Sequence, residues 1–275
     1  MFTQKHSPAL PAPIGDLAHE WGQVPSDPML SEHTLLQLER GKGTCRVYGE
    51  PIEAIVTLVV ASDGGGGLVE VAGSTPDARR AAWKERHREI VDLARRHGLS
   101  PLILIDRDGL SSDQPRIDSV VRMIMEFGSK PEVPPGEHMV ADDVGQILTV
   151  INRAFEGHPE NGNWTATDVA DRMAKPWFDP RGLLVERVDG AVVGFCWTKV
   201  HGDGVGEIYL LAVNQEFAGE GSGKDLALRG LSYLSGVAGC SKVIVYTAAT
   251  NSIARKLYES LGFSVDRVDH RVLLS

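Results

Sequence analysis

Three glycines in the last quarter of the chain could hold a phosphate group. Gly219, Gly221 and Gly223 lie between an apolar stretch at 207–213 and an amphipathic stretch that predicts a helix. A helix N-terminus offers unpaired N–H groups and partial positive charge, and glycine lets a backbone approach an anion closely. The spacing is not a dinucleotide fingerprint, because Leu226 stands where a third glycine belongs, and it is not a Walker loop. A plain strand-to-helix turn is the alternative.

A tyrosine that could donate a proton follows further along the chain. The run NSIARKLYESLGF predicts a helix from about Asn251 to Leu261 and carries Tyr258. A tyrosine hydroxyl is protonated at neutral pH, so it could protonate an anionic leaving group. Its spacing from Leu257 and Leu261 also fits a side chain that only packs.

The glycine turn and the tyrosine helix together resemble the acyl-CoA site of the GNAT N-acetyltransferase superfamily. Two further segments, NRAFEGHPENGNWTATDVADRMAKPWFDPRGL at 152–183 and VGFCWTKVHGDGVGEIYLLAV at 193–213, resemble the mycothiol synthase family of tandem-GNAT enzymes. The resemblance is strong over 152–275 and only architectural over 1–130. It implies an acetyl-CoA-dependent enzyme that acetylates the cysteinyl amine of desacetylmycothiol, the last step of mycothiol biosynthesis.

The resemblance also implies roles for individual residues. Glu207 matches the general base of the family, and Tyr258 matches its general acid. Backbone groups of the strand would bind pantetheine and the turn would bind pyrophosphate. The expected acetyl-CoA contacts are Leu211, Ala212, Val213, Gly219, Gly221, Ser222, Gly223, Lys224, Asn251 and Arg255. The expected contacts to the thiol-sugar substrate are Glu32, His158, Glu160, Trp197 and Lys199.

The turn departs from the family pattern at two positions. Ala218 replaces the usual glutamine or arginine, and Glu220 precedes Gly221. A carboxylate that points at a pyrophosphate is unfavourable, and Lys224 could offset it. This departure affects the expected affinity for the cofactor more than its identity.

The residue types suit acyl transfer to an amine. A cysteinyl amine has a pKa of about 7–8, so a nearby carboxylate needs only to accept one proton. Glu207 could do so if burial raises its pKa, although an exposed acid at the start of a strand is the alternative. A strand N–H near Leu211 could polarise the thioester carbonyl, and Tyr258 could protonate the thiolate.

Other reactive residue types have simpler interpretations. Cys196 and His201 could form a nucleophilic pair, but a cysteine on the apolar strand GFCWTKV is better explained as buried and inert. His158, Glu160 and His201 are poorly spaced for a metal, so no metal is expected. Trp197 and Lys199 alternate on one strand face and could line a sugar site together, or be core and solvated residues respectively.

The composition excludes several classes of function. The chain has 275 residues, 42% of them hydrophobic, and a net charge of −9, which argues against nucleic acid as a partner. Its three cysteines are far apart, and neither an apolar signal segment nor a membrane span is evident. We expect a cytoplasmic monomer that acts on small molecules.

The order of predicted strands and helices repeats along the chain. It predicts an α+β fold of two tandem GNAT-like domains, each a mixed, mostly antiparallel sheet flanked by helices. The expected boundaries are 1–130 for a degenerate domain and 131–275 for the catalytic one. The first half has Arg79 and Arg80 instead of glycines at the matching helix start, and we expect both to be solvated. Acetyl-CoA should therefore bind only in the second half.

Two other functions remain open from the sequence. One is a GNAT acetyltransferase for another small amine or an aminoglycoside, which would differ in its substrate cleft and keep the cofactor site. The other is a non-catalytic CoA-binding GNAT pair. Ala218 and Glu220 favour the second function, whereas the presence of Glu207 and Tyr258 argues against it.

Overall fold

The structure is a computed structural model that describes residues 29–61, 64–128, 136–156, 158, 161–217 and 221–274. It consists of two units. Unit 1 comprises Met1–Val120 and Val268–Ser275, and unit 2 comprises Val121–Arg267. The boundaries expected from the sequence, 1–130 and 131–275, stay a prediction. Residues 1–15, with four prolines or glycines and no periodic pattern, predict a loose lead-in, which lies outside the described residues.

Unit 1 is a sheet with a long helix packed on it. Its elements are α1 (Glu32–Glu39), β1 (Gly43–Tyr48), β2 (Ala54–Val60), β3 (Gly67–Gly73), α2 (Pro76–Arg96) and β4 (Leu102–Asp106). The strand order is β1-β2-β3-β4, followed by the part of β11 (Ser264–Leu273) that belongs to this unit. The β3–β4 pair is parallel, and the other pairs named are antiparallel.

Local signals in the sequence explain where α2 begins and which face it buries. The Thr75 side chain accepts a hydrogen bond from the N–H of Ala78, and Pro76 occupies the first turn. Ala82, Trp83, Ile90 and Ala94 are among the buried residues of the helix, at a spacing that forms one stripe. This stripe packs on the apolar residues of β2, β3 and β4.

Unit 2 contains the segments that carry the chemical motifs. Its strands are the end of β5 (Arg116–Glu126), β6 (Glu137–His138), β7 (Leu183–Val188), β8 (Ala191–Val200), β9 (Gly206–Val213), β10 (Lys242–Ala248) and the start of β11. Its helices are α3 (Val144–Ala154), α4 (Ala166–Met173), α5 (Ser222–Ser232) and α6 (Ser252–Ser260). A π-helical turn, Tyr233–Val237, extends α5. Strand order is β11-β5-β10-β9-β8-β7-β6. The β9–β10 pair is parallel, and the β6–β7, β7–β8 and β8–β9 pairs are antiparallel.

Apolar side chains cover both faces of the unit 2 sheet. Cluster A contains Cys196, Ile208, Leu226, Leu231 and Tyr258, on the face that α5 and α6 cover. Cluster B lies on the face that α3 and α4 cover, and its buried members include Ile147, Ile151, Val169, Phe195, Trp197 and Leu210. Cys196 and Trp197 belong to different clusters because successive side chains of a strand point to opposite faces.

The α+β architecture, with mostly antiparallel pairing and flanking helices, is confirmed. The stretch after the glycine turn predicts a helix start near Lys224, but the helix begins earlier, at Ser222. The two-residue strand β6 was not predicted, since two residues are too few to show a period. Within the part of the chain that the structure describes, no helix combines the length and apolar character needed to cross a membrane.

Candidate active site

A gap opens between strands β9 and β10. The two strands pair in parallel only where Gly206–Ile208 faces Val243–Val245. Beyond these residues β9 continues to Val213 and β10 to Ala248, but the pairing between them ends. Backbone groups of β9 that point towards β10 are therefore without a strand partner at this point, which suits an extended ligand that takes the place of a strand.

The hydrogen-bond pattern of β9 shows which residues face this gap. The N–H of Asn214 donates to the carbonyl of Val193 on β8 at 2.7 Å. Antiparallel pairs alternate, so the backbone of Ala212 also faces β8, whereas Leu211 and Val213 face away from β8. The geometry thus agrees with the expected ligand contacts of Leu211 and Val213. It corrects the expectation for Ala212, whose backbone is used in the sheet and whose side chain is buried in cluster B.

A β-bulge interrupts β9 at Tyr209. Trp197 lies opposite Leu210 and Thr198 opposite Ile208, which leaves Tyr209 as the extra residue. The Tyr209 hydroxyl accepts a hydrogen bond from Nε of the buried Arg172 at 2.7 Å. Bulges of this kind redirect side chains and often lie beside active sites.

The N-terminus of α5 lies next to the end of β9. Gly221 precedes the helix with φ +90°, a conformation that favours glycine, and its carbonyl accepts from the N–H groups of Lys224 and Asp225. A Cβ built on Gly223 would lie 3.9 Å from Cγ2 of Val213, so the first turn borders the gap. The N–H groups of Ser222 and Gly223 precede the first intrahelical hydrogen bonds and suit a phosphate. Gly219, Ala218 and Glu220 lie outside the described residues.

Two other expected cofactor residues lie at the start of α6. The Oδ1 atom of Asn251 accepts from the N–H of Ala254 and so caps the helix. Arg255 reaches the carbonyl of Ala249 at 3.4 Å and a carboxylate oxygen of Glu259 at 3.5 Å. Both contacts order the helix start, and the role of these residues towards a cofactor stays a prediction.

Glu207 is buried and bonded to His201, which was not among the site residues expected from the sequence. Glu207 is only 8% exposed, and its Oε2 atom lies 2.7 Å from Nε2 of His201. Burial pushes the pKa of Glu207 up, but the hydrogen bond from His201 and the charges of His201 and Lys199 outweigh burial and hold that pKa below its usual value. The expectation of a raised pKa is therefore wrong. His201 follows Lys199 by two residues, just beyond the end of β8, and that spacing of two was the signal that could have found it.

Tyr258 and Cys196 lie together in cluster A. Tyr258 packs edge-to-face against Phe263, with ring centroids 5.5 Å apart, and burial raises the pKa of its hydroxyl, which therefore keeps its proton. Cys196 is completely buried, and burial raises the pKa of its thiol to about 12. A thiol that resists ionisation is a poor nucleophile, in agreement with the inert interpretation.

The expected substrate residues differ in their surroundings. Trp197 is 0% exposed among aromatic side chains of cluster B, so the expectation that it contacts substrate is corrected: it is a core residue. Lys199 lies opposite Glu207, and its Nζ atom is 4.8 Å from the ring centroid of Trp177 and 5.5 Å from that of Tyr209. Lys199 is thus held on an aromatic surface beside Glu207 instead of being fully solvated.

Three further expected contacts are less informative. His158 accepts a hydrogen bond at Nδ1 from the N–H of Asn161, which stabilises its loop. Glu160 lies outside the described residues. Glu32 is in the first turn of α1 in unit 1. Their contact with a substrate stays a prediction.

The start of α2 in unit 1, which corresponds to the start of α5 in unit 2, is filled by a side chain of α2 itself. Arg79 is buried, and its guanidinium donates to the carbonyl of Gly73 at 3.0 Å and to the carboxylate of Asp108. The expectation that Arg79 is solvated is therefore wrong. Arg80 is half exposed and pairs with Asp77 in the first turn of the same helix.

Known proteins with similar sequences point to one family. The acetyltransferase (GNAT) family matches residues 147–263. The mycothiol acetyltransferase of Thermomonospora curvata is 36% identical over 256 residues, which cover 87% of this chain and 85% of the relative. That of Mycobacteroides abscessus is 37% identical over 222 residues, which cover 78% of this chain and 67% of the relative.

Solved structures show the same fold at low identity. A tandem GNAT protein from the clavulanic acid biosynthesis pathway has a TM-score of 0.62 at 14% identity, covering 93% of this chain and 91% of its own. A GCN5-related N-acetyltransferase from Sphaerobacter thermophilus has a TM-score of 0.58 at 19% identity, covering 80% and 79%. The expected tandem GNAT fold is confirmed. The extent of the sequence similarity establishes that this chain belongs to the mycothiol acetyltransferase family of GNAT N-acetyltransferases.

Proposed function

We propose that the protein transfers an acetyl group from acetyl-CoA to the cysteinyl amine of desacetylmycothiol, the last step of mycothiol biosynthesis. The observation that carries the proposal is the position of Glu207. It is a buried, hydrogen-bonded carboxylate on the strand that borders the gap between β9 and β10. Similarity to mycothiol acetyltransferases over most of the chain supports this substrate.

The residues around the gap fit acetyl-CoA. Leu211 and Val213 present backbone groups to an extended arm, and the first turn of α5, after Gly221, presents N–H groups to phosphate. Acetyl-CoA would supply the activated acetyl thioester. In unit 2 the gap borders a helix start that is led by Gly221. The Arg79 side chain occupies the matching helix start in unit 1, which supports binding in unit 2 alone.

The proposed proton transfers follow from the ionisation states of Glu207 and Tyr258. The lowered pKa keeps Glu207 ionised at neutral pH, so its carboxylate accepts a proton from the substrate ammonium or from the amine as it attacks. The amine nitrogen bonds to the acetyl carbon, and the carbon–sulfur bond breaks. The raised pKa of Tyr258 keeps its proton available for the thiolate sulfur that leaves. A β9 N–H near Leu211 would polarise the acetyl carbonyl.

The proposal extends to the location of the enzyme in the cell and to its oligomeric state. The separate, free cysteines Cys45, Cys196 and Cys240 suit a reducing cytoplasm, and the net charge of −9 suits small-molecule substrates more than nucleic acid. We propose a cytoplasmic monomer. Sedimentation of the purified protein tests the monomer, since a dimer would have twice the mass.

A direct assay tests the reaction. The purified protein is mixed with acetyl-CoA and desacetylmycothiol, and the product is analysed by mass spectrometry together with CoA release. We expect one added acetyl group on a product that keeps its free thiol, as an N-acetylated cysteine does. An acetylated product without a free thiol would place the acetyl group on sulfur and contradict the proposal.

Two control substrates separate the proposed function from related ones. Glucosaminyl-inositol, which lacks the cysteinyl group, should not be acetylated at a comparable rate. An aminoglycoside that reacts faster than desacetylmycothiol would favour the second acetyltransferase function. Acetyl-CoA binding without turnover of any amine would favour a non-catalytic CoA-binding protein.

A further inference from the structure

His201 donates a hydrogen bond to Glu207 but exchanges no proton in the reaction proposed above. Nε2 of His201 lies 2.7 Å from Oε2 of Glu207, and both side chains are buried. An ionised carboxylate has only acceptor oxygens, so the Nε2 atom carries the proton and donates it. The other oxygen of Glu207, Oε1, accepts no hydrogen bond from any residue that the structure describes.

The backbone holds His201 in place. Its N–H donates to the carbonyl of Val205 at 2.9 Å, and its carbonyl accepts from the N–H of Gly204 at 2.9 Å. Gly204 adopts φ +76° and closes the tight hairpin between β8 and β9. His201 therefore lies on the same face as Glu207, two residues beyond Lys199, and its ring is positioned by the hairpin and not by a flexible loop.

The charged groups around Glu207 come from the end of β8 and from the residue that follows it. His201 and Lys199 both act on its carboxylate, whereas its neighbour on β10 is the apolar Ile244. The ammonium of Lys199 lies against the rings of Trp177 and Tyr209. Among the described residues, His201 alone donates a hydrogen bond to the carboxylate of Glu207.

We propose that His201 is a positioning residue for Glu207: its Nε2–H holds Oε2 and leaves Oε1 as the oxygen that accepts the proton of the substrate amine. The inference rests on the proposed role of Glu207 as general base. Without the donor, the carboxylate can rotate, and the charge of Lys199 alone offsets its burial. The amine would then meet a base that is badly aligned and more often protonated.

Substitutions of His201 test the proposal. His201→Leu keeps an apolar side chain of moderate size and removes the donor, whereas His201→Gln keeps an amide N–H. We expect kcat to fall about 10–100-fold in the leucine variant, the range for one hydrogen bond to a charged group, with the KM for acetyl-CoA unchanged. The glutamine variant should recover most of the loss. His87→Gln, on α2 of unit 1, is the histidine control and should match the parent.

A titration without substrates supplies a second readout. Carbon-13 NMR of glutamate-labelled protein follows the carboxyl signal of Glu207, which is assigned by its absence in Glu207→Gln. We expect that signal to titrate at higher pH in His201→Leu than in the parent. If the leucine variant does not fold, His201→Asn takes its place, because the shorter amide does not reach Oε2.

The outcomes separate the inference from the proposed function. A folded His201→Leu variant with the parent's kcat and the parent's Glu207 titration would overturn the role of His201. In the Glu207→Gln background, His201→Leu should cause no further loss, and an additive loss would show that His201 acts elsewhere. If the parent does not acetylate desacetylmycothiol, the proposed function fails, and the NMR titration still decides whether His201 controls Glu207.

Discussion

Glu207 and Tyr258 lie on opposite faces of the unit 2 sheet. Glu207 is opposite Lys199, which stacks on Trp177 at the cluster B face, whereas Tyr258 packs with Ile208 in cluster A. The proton acceptor and the proton donor are therefore separated by the sheet. A thioester placed in the gap between β9 and β10 could be attacked from one face while its sulfur is protonated from the other.

Substitution of Gly221 should weaken acetyl-CoA binding through charge. Gly221→Asp places a carboxylate next to the expected phosphate site, and Gly221→Asn has nearly the same shape without the charge. Both residues tolerate the positive φ of +90° better than other side chains do. We expect calorimetry to show at least tenfold weaker binding for the aspartate variant than for the asparagine variant. Equal affinities for the two variants would move the phosphate site away from this turn.

Removal of the Tyr258 hydroxyl should slow turnover. Tyr258→Phe keeps the ring that packs on Phe263 and removes the proton donor. We expect kcat to fall about 10²–10⁴-fold, with acetyl-CoA binding little changed. Tyr233→Phe is a matched control, because the Tyr233 hydroxyl already donates its proton to a hydrogen bond with Asp179. An unchanged kcat for Tyr258→Phe would mean that water or another group protonates the thiolate.

The pH dependence should identify Glu207 as the base. Its pKa is lowered, so the carboxylate stays ionised as pH falls through the neutral range, and the loss of activity below about pH 7–8 should report the substrate ammonium. Glu207→Gln should lower kcat/KM at neutral pH and recover partly at high pH, where the amine is already neutral.

A carboxylate on another strand provides the control for this variant. Glu186→Gln neutralises a residue on β7 that pairs with Arg229. It should keep the parent's pH profile. If Glu207→Gln were as active as the parent at neutral pH, Glu207 would have no part in the mechanism.

Cys196 should stay unmodified during turnover. It is completely buried and the pKa of its thiol is raised to about 12, so thiolate is scarce at neutral pH. Protein mixed with acetyl-CoA alone should show no added acetyl group by mass spectrometry, and Cys196→Ala should remain active. An acetyl group on Cys196, together with an inactive alanine variant, would establish a covalent intermediate.

The contact between α5 and β8 should limit the size of residue 230. A Cβ at Gly230 would lie 2.5 Å from Sγ of Cys196, whereas one at Gly236 would meet no heavy atom within 4 Å. Gly230→Ala should lower the free energy of unfolding by about 1–3 kcal/mol through overpacking. Gly236→Ala should leave it unchanged or raise it by up to about 1 kcal/mol. Urea denaturation of both variants measures the difference, and equal stabilities would contradict this packing.

Local patterns in the sequence were sufficient for most elements and for the family. Thr75, Pro76 and the apolar stripe of α2 predict that helix because capping and periodicity act over a few residues. The segments at 152–183 and 193–213 and the run from Asn251 indicate the same family as the similar proteins do. The resemblance to that family also indicated Leu211 and Val213, although it did not separate them from Ala212, whose backbone faces β8.

Tertiary structure decided the state and partners of the reactive groups. The sequence could not show that Trp197 is entirely core or that Arg79 is buried against Asp108, since both depend on contacts between segments far apart in the chain. The pKa of Glu207 is the clearest case: burial and a nearby donor act in opposite directions, and only their distances determine which prevails. His201 becomes significant for the same physical reason, because a tight hairpin brings its Nε2 atom within 2.7 Å of the carboxylate.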